Sequence, residues 1–293
     1  VPQPPVVLVV GSLHHDIMVE ADHLPRVDET AVGRRWYPKF GGKGGNQAVA
    51  ARAAGVQARM FGAVGRDAFG DYLLAALDRG KVDRHFVRIL DDAPSGMSVA
   101  IQDRAGDYAA TIVSGANLCL DPALLTDPAL WADVAVLVLQ NEVTPDINLA
   151  AATAARARGI RVILNAAPAR EVPPALGACV DVLVVNAVEA AMFGADPVTD
   201  LASARAAAGH LAARFGSVVV TAGAAGLAAC TAGGARITLP ARKVTVASTH
   251  GAGDCFTGTL AAAMATGHDL ESACQQASDA AARHVAGVGA ATA

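Results

Sequence analysis

The sequence predicts an α/β fold: a doubly wound, mainly parallel sheet covered by helices, with a small β-sheet set apart as a lid. Three observations carry this expectation. Short β-branched runs alternate with Ala-rich stretches of helical length, the apolar residues are mostly Ala, Val and Leu, and two segments break the alternation with an extended pattern. In chain order, Val6–Val10 reads as a strand before a helix near 46–54, and 59–64 as a strand before a helix near 69–79. Residues 134–139 precede a helix near 145–158, and 160–164 and 182–185 are further strands. A helix near 201–215, a strand at 217–221, a strand-like stretch at 244–247 and helices near 256–265 and 270–286 complete the series before a Gly-Ala tail from Gly287. Strand-helix alternation of this kind calls for right-handed crossovers and a parallel sheet buried on both faces.

The two exceptions lie at about 17–40 and 96–113. The first has no helical period; the second alternates around Asp103-Arg104-Ala105-Gly106-Asp107, a hairpin signal. Together they predict a small antiparallel sheet projecting from the body. No linker or repeat divides the chain, so 1–293 reads as one domain.

Composition removes several function classes. Lys and Arg total 23 against 27 Asp and Glu, a net charge of -4 without any basic block, so neither a nucleic acid nor an anionic membrane surface is an expected partner. Each apolar run is of strand length and ends at Gly or a charge, too short to span a bilayer. The 5 cysteines are scattered without a Cys-x-x-Cys spacing, which suits reduced thiols rather than a disulfide framework or a zinc site. With no basic leader before Val6, a cytoplasmic protein is expected.

The sharpest chemical signal is His250-Gly251-Ala252-Gly253-Asp254 at the start of a helix. Small residues there let backbone N–H groups approach an anion, the helix dipole favours negative charge, and Asp254 in the first turn can accept a proton from an attacking hydroxyl. Taken alone, the pattern is more often only a turn with an N-cap. Gly41-Gly42-Lys43-Gly44-Gly45-Asn46 also opens a helix, yet matches neither a P-loop nor a dinucleotide fingerprint. It suits a hydroxylated ligand or a tight strand-to-helix turn. Polar groups follow three more strands: Gln140-Asn141-Glu142, Asn186 with Glu189, and Thr221 through Gly226. Asn186 and Glu189, three apart at a helix start, can both face a hydrated Mg²⁺.

These segments, with Gly11-Ser12, Asp16, Ser114-Gly115-Ala116-Asn117 and Leu164-Asn165-Ala166-Ala167-Pro168-Ala169-Arg170-Glu171, resemble the ribokinase-like (PfkB) carbohydrate kinases in order along the whole chain. The resemblance implies a Rossmann-like body with a β lid that also pairs subunits into a homodimer. It implies ATP-dependent transfer of phosphoryl to a primary hydroxyl of a pentose, D-ribose to ribose 5-phosphate in the leading case. Asp254 would be the general base, with the backbone of Ala252 and Gly253 as anion hole. His14, Asp16, Gly42, Lys43, Asn46 and Glu142 would hold the sugar. Asn186 and Glu189 would organise Mg²⁺ through water, and Asn186, Thr221, Gly223, Gly226, Gly251 and Ser278 would line the ATP site. A base of ordinary pKa near 4 is sufficient for such chemistry.

Two departures from the family pattern bear on specificity. His14 stands where the family usually carries Asn beside the sugar, which brings in a nucleoside or another furanose as the alternative acceptor. Ser248 replaces the Asp that helps bind an activating monovalent cation, a degenerate site at which strong activation by K⁺ is not expected. A catalytically silent sugar or nucleotide sensor is the alternative to an enzyme; the retained Asp254 and anion hole argue against it.

Overall fold

Val6–Val10 is buried along its whole length, as a strand covered on both faces must be, and it lies in the interior of a nine-stranded sheet. The computed structural model describes residues 4–105 and 107–287, so Gly106 of the expected hairpin turn and most of the Gly-Ala tail lie outside the described residues. In chain order the elements are β1 (Val6–Val10), β2 (His14–Ala21), β3 (Gly33–Gly41), α1 (Lys43–Ala53), β4 (Gln57–Gly65), α2 (Ala68–Arg79) and β5 (Asp83–Leu90). Next come β6 (Met97–Gln102), β7 (Tyr108–Val113), β8 (Val134–Gln140), α3 (Pro145–Arg156), β9 (Arg161–Asn165), α4 (Pro174–Gly177), β10 (Val182–Asn186) and α5 (Ala187–Met192). The chain closes with α6 (Leu201–Phe215), β11 (Ser217–Thr221), β12 (Gly226–Cys230), β13 (Arg236–Pro240), α7 (Ala252–Ala265) and α8 (Leu270–Val285).

The large sheet runs β13-β12-β11-β10-β9-β8-β1-β4-β5, parallel from β11 to β5. Strand order reverses between β1 and β8, and the carboxyl ends at such a switch point frame a crevice. Apolar residues of α1, α2, α7 and α8 pack on one face, those of α3 and α6 on the other. Where α7 crosses α1 the helices nearly touch: a Cβ on Gly258 would lie 2.4 Å from the Gln47 carbonyl oxygen and 2.7 Å from the Ala50 Cβ. Only glycine permits that approach.

The small sheet, β3-β2-β6-β7, is mixed rather than antiparallel. β2 pairs with β3 and β6 with β7 in antiparallel fashion, but the central β2–β6 pair is parallel. The reason is topological: β2 follows β1 and β6 follows β5, so both leave the carboxyl ends of parallel strands in the same direction. Trp36 and Tyr108 stand exposed on this sheet.

Three strands escape the β-branched signal. β5 lies at an edge and carries Asp83, Arg84 and Arg88, while β12 and β13 form an antiparallel extension, β12 being rich in Ala and Gly. Conversely, 244–247 forms no strand. That segment is exposed, and the Ala247 and Ser248 N–H groups donate to the Val285 carbonyl at the end of α8.

Candidate active site

The carboxyl ends of β9, β10 and β11 and the N-termini of α1 and α7 enclose a cleft of about 110 Å³, with Lys43, Asn165, Glu189, Thr221, Gly253 and Asp254 among its walls. Gly251 precedes α7 in the left-handed region at φ 78°, where a non-glycine residue would be strained, and the helix starts without a side-chain cap. Ala252 N–H reaches only the Thr249 carbonyl at 3.3 Å, and a Cβ on Gly253 would meet open space. The start of α7 is therefore open to an anion.

Asp254 is buried in the first turn of α7. Its Oδ2 accepts from Asn46 Nδ2 at 3.1 Å and its Oδ1 from Gln47 Nε2 at 3.0 Å. Burial raises its pKa to about 6, against the lowering influence of the Lys43 charge and the two amide hydrogen bonds. The expected ordinary value is thus corrected: dehydration beneath α1 cannot be read from local sequence.

Glu142, just beyond β8, is held by donors from two directions. Its Oε2 accepts from the Ser12 hydroxyl at 2.5 Å and from the Lys43 backbone N–H at 2.9 Å, with His14 Nδ1 at 3.8 Å. Asp16 on β2 accepts from the Ser98 hydroxyl at 2.6 Å. On the far side of Glu142 lies a second cavity of about 380 Å³, bounded also by His14, Asn141, Thr144 and Arg170. His14 Nε2, Asn141 Oδ1 and Arg170 Nη2 are buried without hydrogen-bond partners among the described residues. Arg170 Nη1 donates to the Val143 carbonyl at 2.6 Å, and desolvation lowers the guanidinium pKa.

Comparison with known proteins follows this geometry. The profile described as pfkB family carbohydrate kinase matches residues 6–293. The chain belongs to the pfkB family of carbohydrate kinases. It is accordingly an ATP-dependent sugar phosphotransferase. It is similar to a ribokinase of Mus musculus, 34% identical over 259 residues, covering 87% of this chain and 80% of that protein. A Bacillus subtilis ribokinase is 30% identical over 285 residues, covering 97% and 94%. Among solved structures, Arabidopsis thaliana ribokinase complexed with ribose and ATP superposes at a TM-score of 0.88 with 29% identity, covering 97% of this chain and 93% of that one.

Within this carbohydrate kinase, the sequence-expected residues fall into three groups. His14, Glu142 and the backbone of Lys43 meet at one side of the crevice; Lys43, Asn46, Asp254 and the uncapped start of α7 meet at the other. Gly42 is the N-cap of α1 at φ 84°, and Asp16 approaches from the small sheet. Asn186 and Glu189 both line the cleft, and they also bond to each other. They form a capping box on α5: Asn186 Oδ1 accepts from Glu189 N–H at 2.8 Å, and Glu189 Oε2 accepts from Asn186 N–H at 2.9 Å. Burial raises the Glu189 pKa.

Thr221 lines the cleft, whereas Gly223, Gly226 and Ser278 stand outside its walls, the two glycines in the turn between β11 and β12 and Ser278 half-buried on α8. Ser248 is exposed, its hydroxyl oxygen accepting from His250 N–H at 3.2 Å. Reasoning from sequence assigned no role to Ser12, Gln47, Ser98 or Asn165. Ser12 and Asn165 lie in segments the resemblance rests on and Gln47 directly follows one, but the partners of these three lie 118 to 207 residues away in sequence. Among the described residues no cluster of three or more His, Cys, Asp or Glu is placed to hold a metal ion, and no helix is long and apolar enough to cross a membrane.

The raised Asp254 pKa has a thermodynamic sign. The folded value of about 6 exceeds the ordinary 3.8, so its stabilising contribution is fully present below 3.8 and is lost as pH rises through about 6. A shift of this size corresponds to roughly 3 kcal/mol. In urea unfolding at about pH 4 and pH 8, Asp254→Asn should gain on the parent by up to that amount at the higher pH. A difference independent of pH would show the carboxyl to be unperturbed.

Proposed function

We propose that this kinase transfers the γ-phosphoryl group of ATP to the primary hydroxyl of a pentose, D-ribose in the leading case, with Asp254 as general base. The observation that carries this reading is the position of Asp254. Its carboxylate is buried at the uncapped start of α7, beside the N–H groups of Ala252 and Gly253. Its elevated pKa leaves it mostly ionised at neutral pH while making it a better proton acceptor than an exposed Asp. As the sugar hydroxyl oxygen bonds to phosphorus and the bond to ADP breaks, the hydroxyl proton passes to Asp254. The start of α7 and the Lys43 ammonium lie where negative charge builds up.

Asp16 and Glu142 carry the carboxylates suited to sugar hydroxyls, with Gly42, Asn46 and His14 around them. Thr221 and the Gly223–Gly226 turn lie on the nucleotide side, with Gly251 leading into α7 and Ser278 farther out on α8. Glu189 keeps Oε1 free of the capping box, and Asn186 stands beside it; a sparse oxygen set of this kind fits Mg²⁺ held largely by phosphate and water. When bound, Mg²⁺ would neutralise charge on the phosphates.

Replacing Asp254 by Asn should lower kcat by roughly 10² to 10⁴ with sugar affinity retained, and the acid limb of kcat/KM in the parent should fall near pH 6. Wild-type turnover in Asp254→Asn would remove the base from the mechanism.

A second acceptor class has an observation in its favour. The cavity of His14, Asn141 and Arg170, which Glu142 also lines, offers room for an acceptor larger than a free pentose. Its unpartnered polar atoms suit a nucleoside base. Initial rates with ribose, 2-deoxyribose and inosine separate the readings. Ribose should lead and deoxyribose should lose the hydroxyl contact to Asp16; inosine as the preferred acceptor would transfer the assignment to the nucleoside class.

Ser248 leaves a neutral hydroxyl where a carboxylate would hold a monovalent cation, and a unit charge pair at about 4 Å is worth on the order of 4 kcal/mol before desolvation. Exchanging an organic-cation chloride for KCl at constant ionic strength should therefore change the rate little, with partial activation gained in Ser248→Asp. Strong activation of the parent would show that backbone carbonyls suffice.

A further inference from the structure

Gln47 is fully buried at the crossing of α1 and α7, and its amide makes two hydrogen bonds, both as donor. One N–H points to Asp254 Oδ1 at 3.0 Å, the other to Asn165 Oδ1 at 3.1 Å. Among the described residues its own Oε1 has no partner, a cost that native interiors seldom carry. Asn165, at the end of β9, donates through Nδ2 to the Val184 carbonyl of β10 at 3.3 Å. A peptide carbonyl can only accept, so Asn165 must turn its NH₂ toward Val184 and its oxygen toward Gln47. Gln47 must then turn its NH₂ toward both oxygens that face it. The polarity of the chain thus runs outward from the sheet, and a donor is the only group that can meet Asp254.

We propose that Gln47 is a positioning residue for Asp254, its amide locked donor-outward by Asn165 and the Val184 carbonyl. The inference rests on the reading of Asp254 as the base. Gln47 fixes one carboxylate oxygen as Asn46 fixes the other, so neither rotation about the carboxyl nor an approaching backbone acceptor can take Oδ1 out of line. The direction of the amide also favours the ionised form: a hydrogen bond donated to a carboxylate is lost when the carboxyl is protonated. An unsatisfied Oε1 is tolerated because reversing the amide would set oxygen against oxygen at both Asn165 and Asp254.

The charged and titratable groups around Asp254 are Lys43 from α1, Glu142 beyond β8 and Glu189 from α5, with Cys255 next in the chain and Arg283 of α8 close to Cys255. None of these changes in the variants used below.

Two substitutions test the proposal in the full-length protein. Gln47→Met keeps the bulk and removes the donor; Gln47→Glu keeps the shape and removes the NH₂. The titration of Asp254 is followed by ¹³C-carboxyl NMR without nucleotide, alongside kcat and KM across pH. Loss of one charge-assisted hydrogen bond should move the Asp254 titration up by about one pH unit in Gln47→Met, and further in Gln47→Glu, where two carboxyls compete for a proton. The acid limb of kcat should move with it, kcat at the plateau should fall by roughly tenfold or more, and KM for ribose should change less than about threefold. An Asp254 titration unmoved in either folded variant overturns the proposal, whatever happens to thermal stability. Asp254→Asn serves as the separate control: if it keeps parental turnover, the reading of the base fails even though the NMR shift in the Gln47 variants stands.

Discussion

The structure depends on keeping one carboxylate dry and yet ionised. Asp254 sits under α1, away from water, and desolvation alone would drive it toward the neutral acid. Lys43 and the amides of Asn46 and Gln47 oppose that tendency without coming from the helix that bears Asp254. All three belong to α1, so the properties of the carboxylate are determined by how closely two helices cross. Gly258 permits that crossing, one turn beyond Asp254 on α7, and packing and proton affinity are coupled through it.

The sheet serves the same requirement from below. Because strand order reverses between β1 and β8, residues distant in sequence arrive at one crevice: Ser12 after β1, Glu142 after β8 and Asn165 at the end of β9. Each is tied to a group on or beside α1. Ser12 and the first N–H of α1 share one oxygen of Glu142, and Asn165 reaches Gln47. The N-terminus of α1 is thereby joined to the sheet through polar contacts at the edge of the crevice.

Elements with β-branched runs flanked by glycine or charge were legible in the sequence, since burial on both faces of a parallel strand demands that composition. β5, β12 and β13 were not, because an edge strand tolerates Arg and Asp, and an Ala-rich strand looks like a helix. Gly42 and Gly251, in the two glycine-rich segments, take the positive φ that the turns into α1 and α7 require, and Lys43, Gly251 and Gly253 line the cleft. What local sequence does not carry is the pairing of Gln47 with Asp254 across 207 positions, or the dehydration that shifts the acidity of Asp254. The capping box of Asn186 and Glu189 had a visible spacing, and that spacing serves the helix as well as any ion.

The small sheet is fastened to the body near its two points of entry. At Leu13, just before β2, the backbone N–H and carbonyl are both engaged by the side-chain amide of Asn117 at 2.9 Å. Just before β6, Ser95 receives Gly65 N–H and donates to Asp67, which also caps α2. Since β2 and β6 run side by side in the same direction, these fastenings lie along one edge, and His15 N–H bonds to the Gly96 carbonyl between them. Asp16 and His14 stand on the small sheet, whereas Glu142, Lys43 and Asp254 stand on the body. A seam between the two sheets therefore runs among the polar side chains gathered at the crevice, and the approach of His14 Nδ1 to Glu142 Oε2 at 3.8 Å spans it.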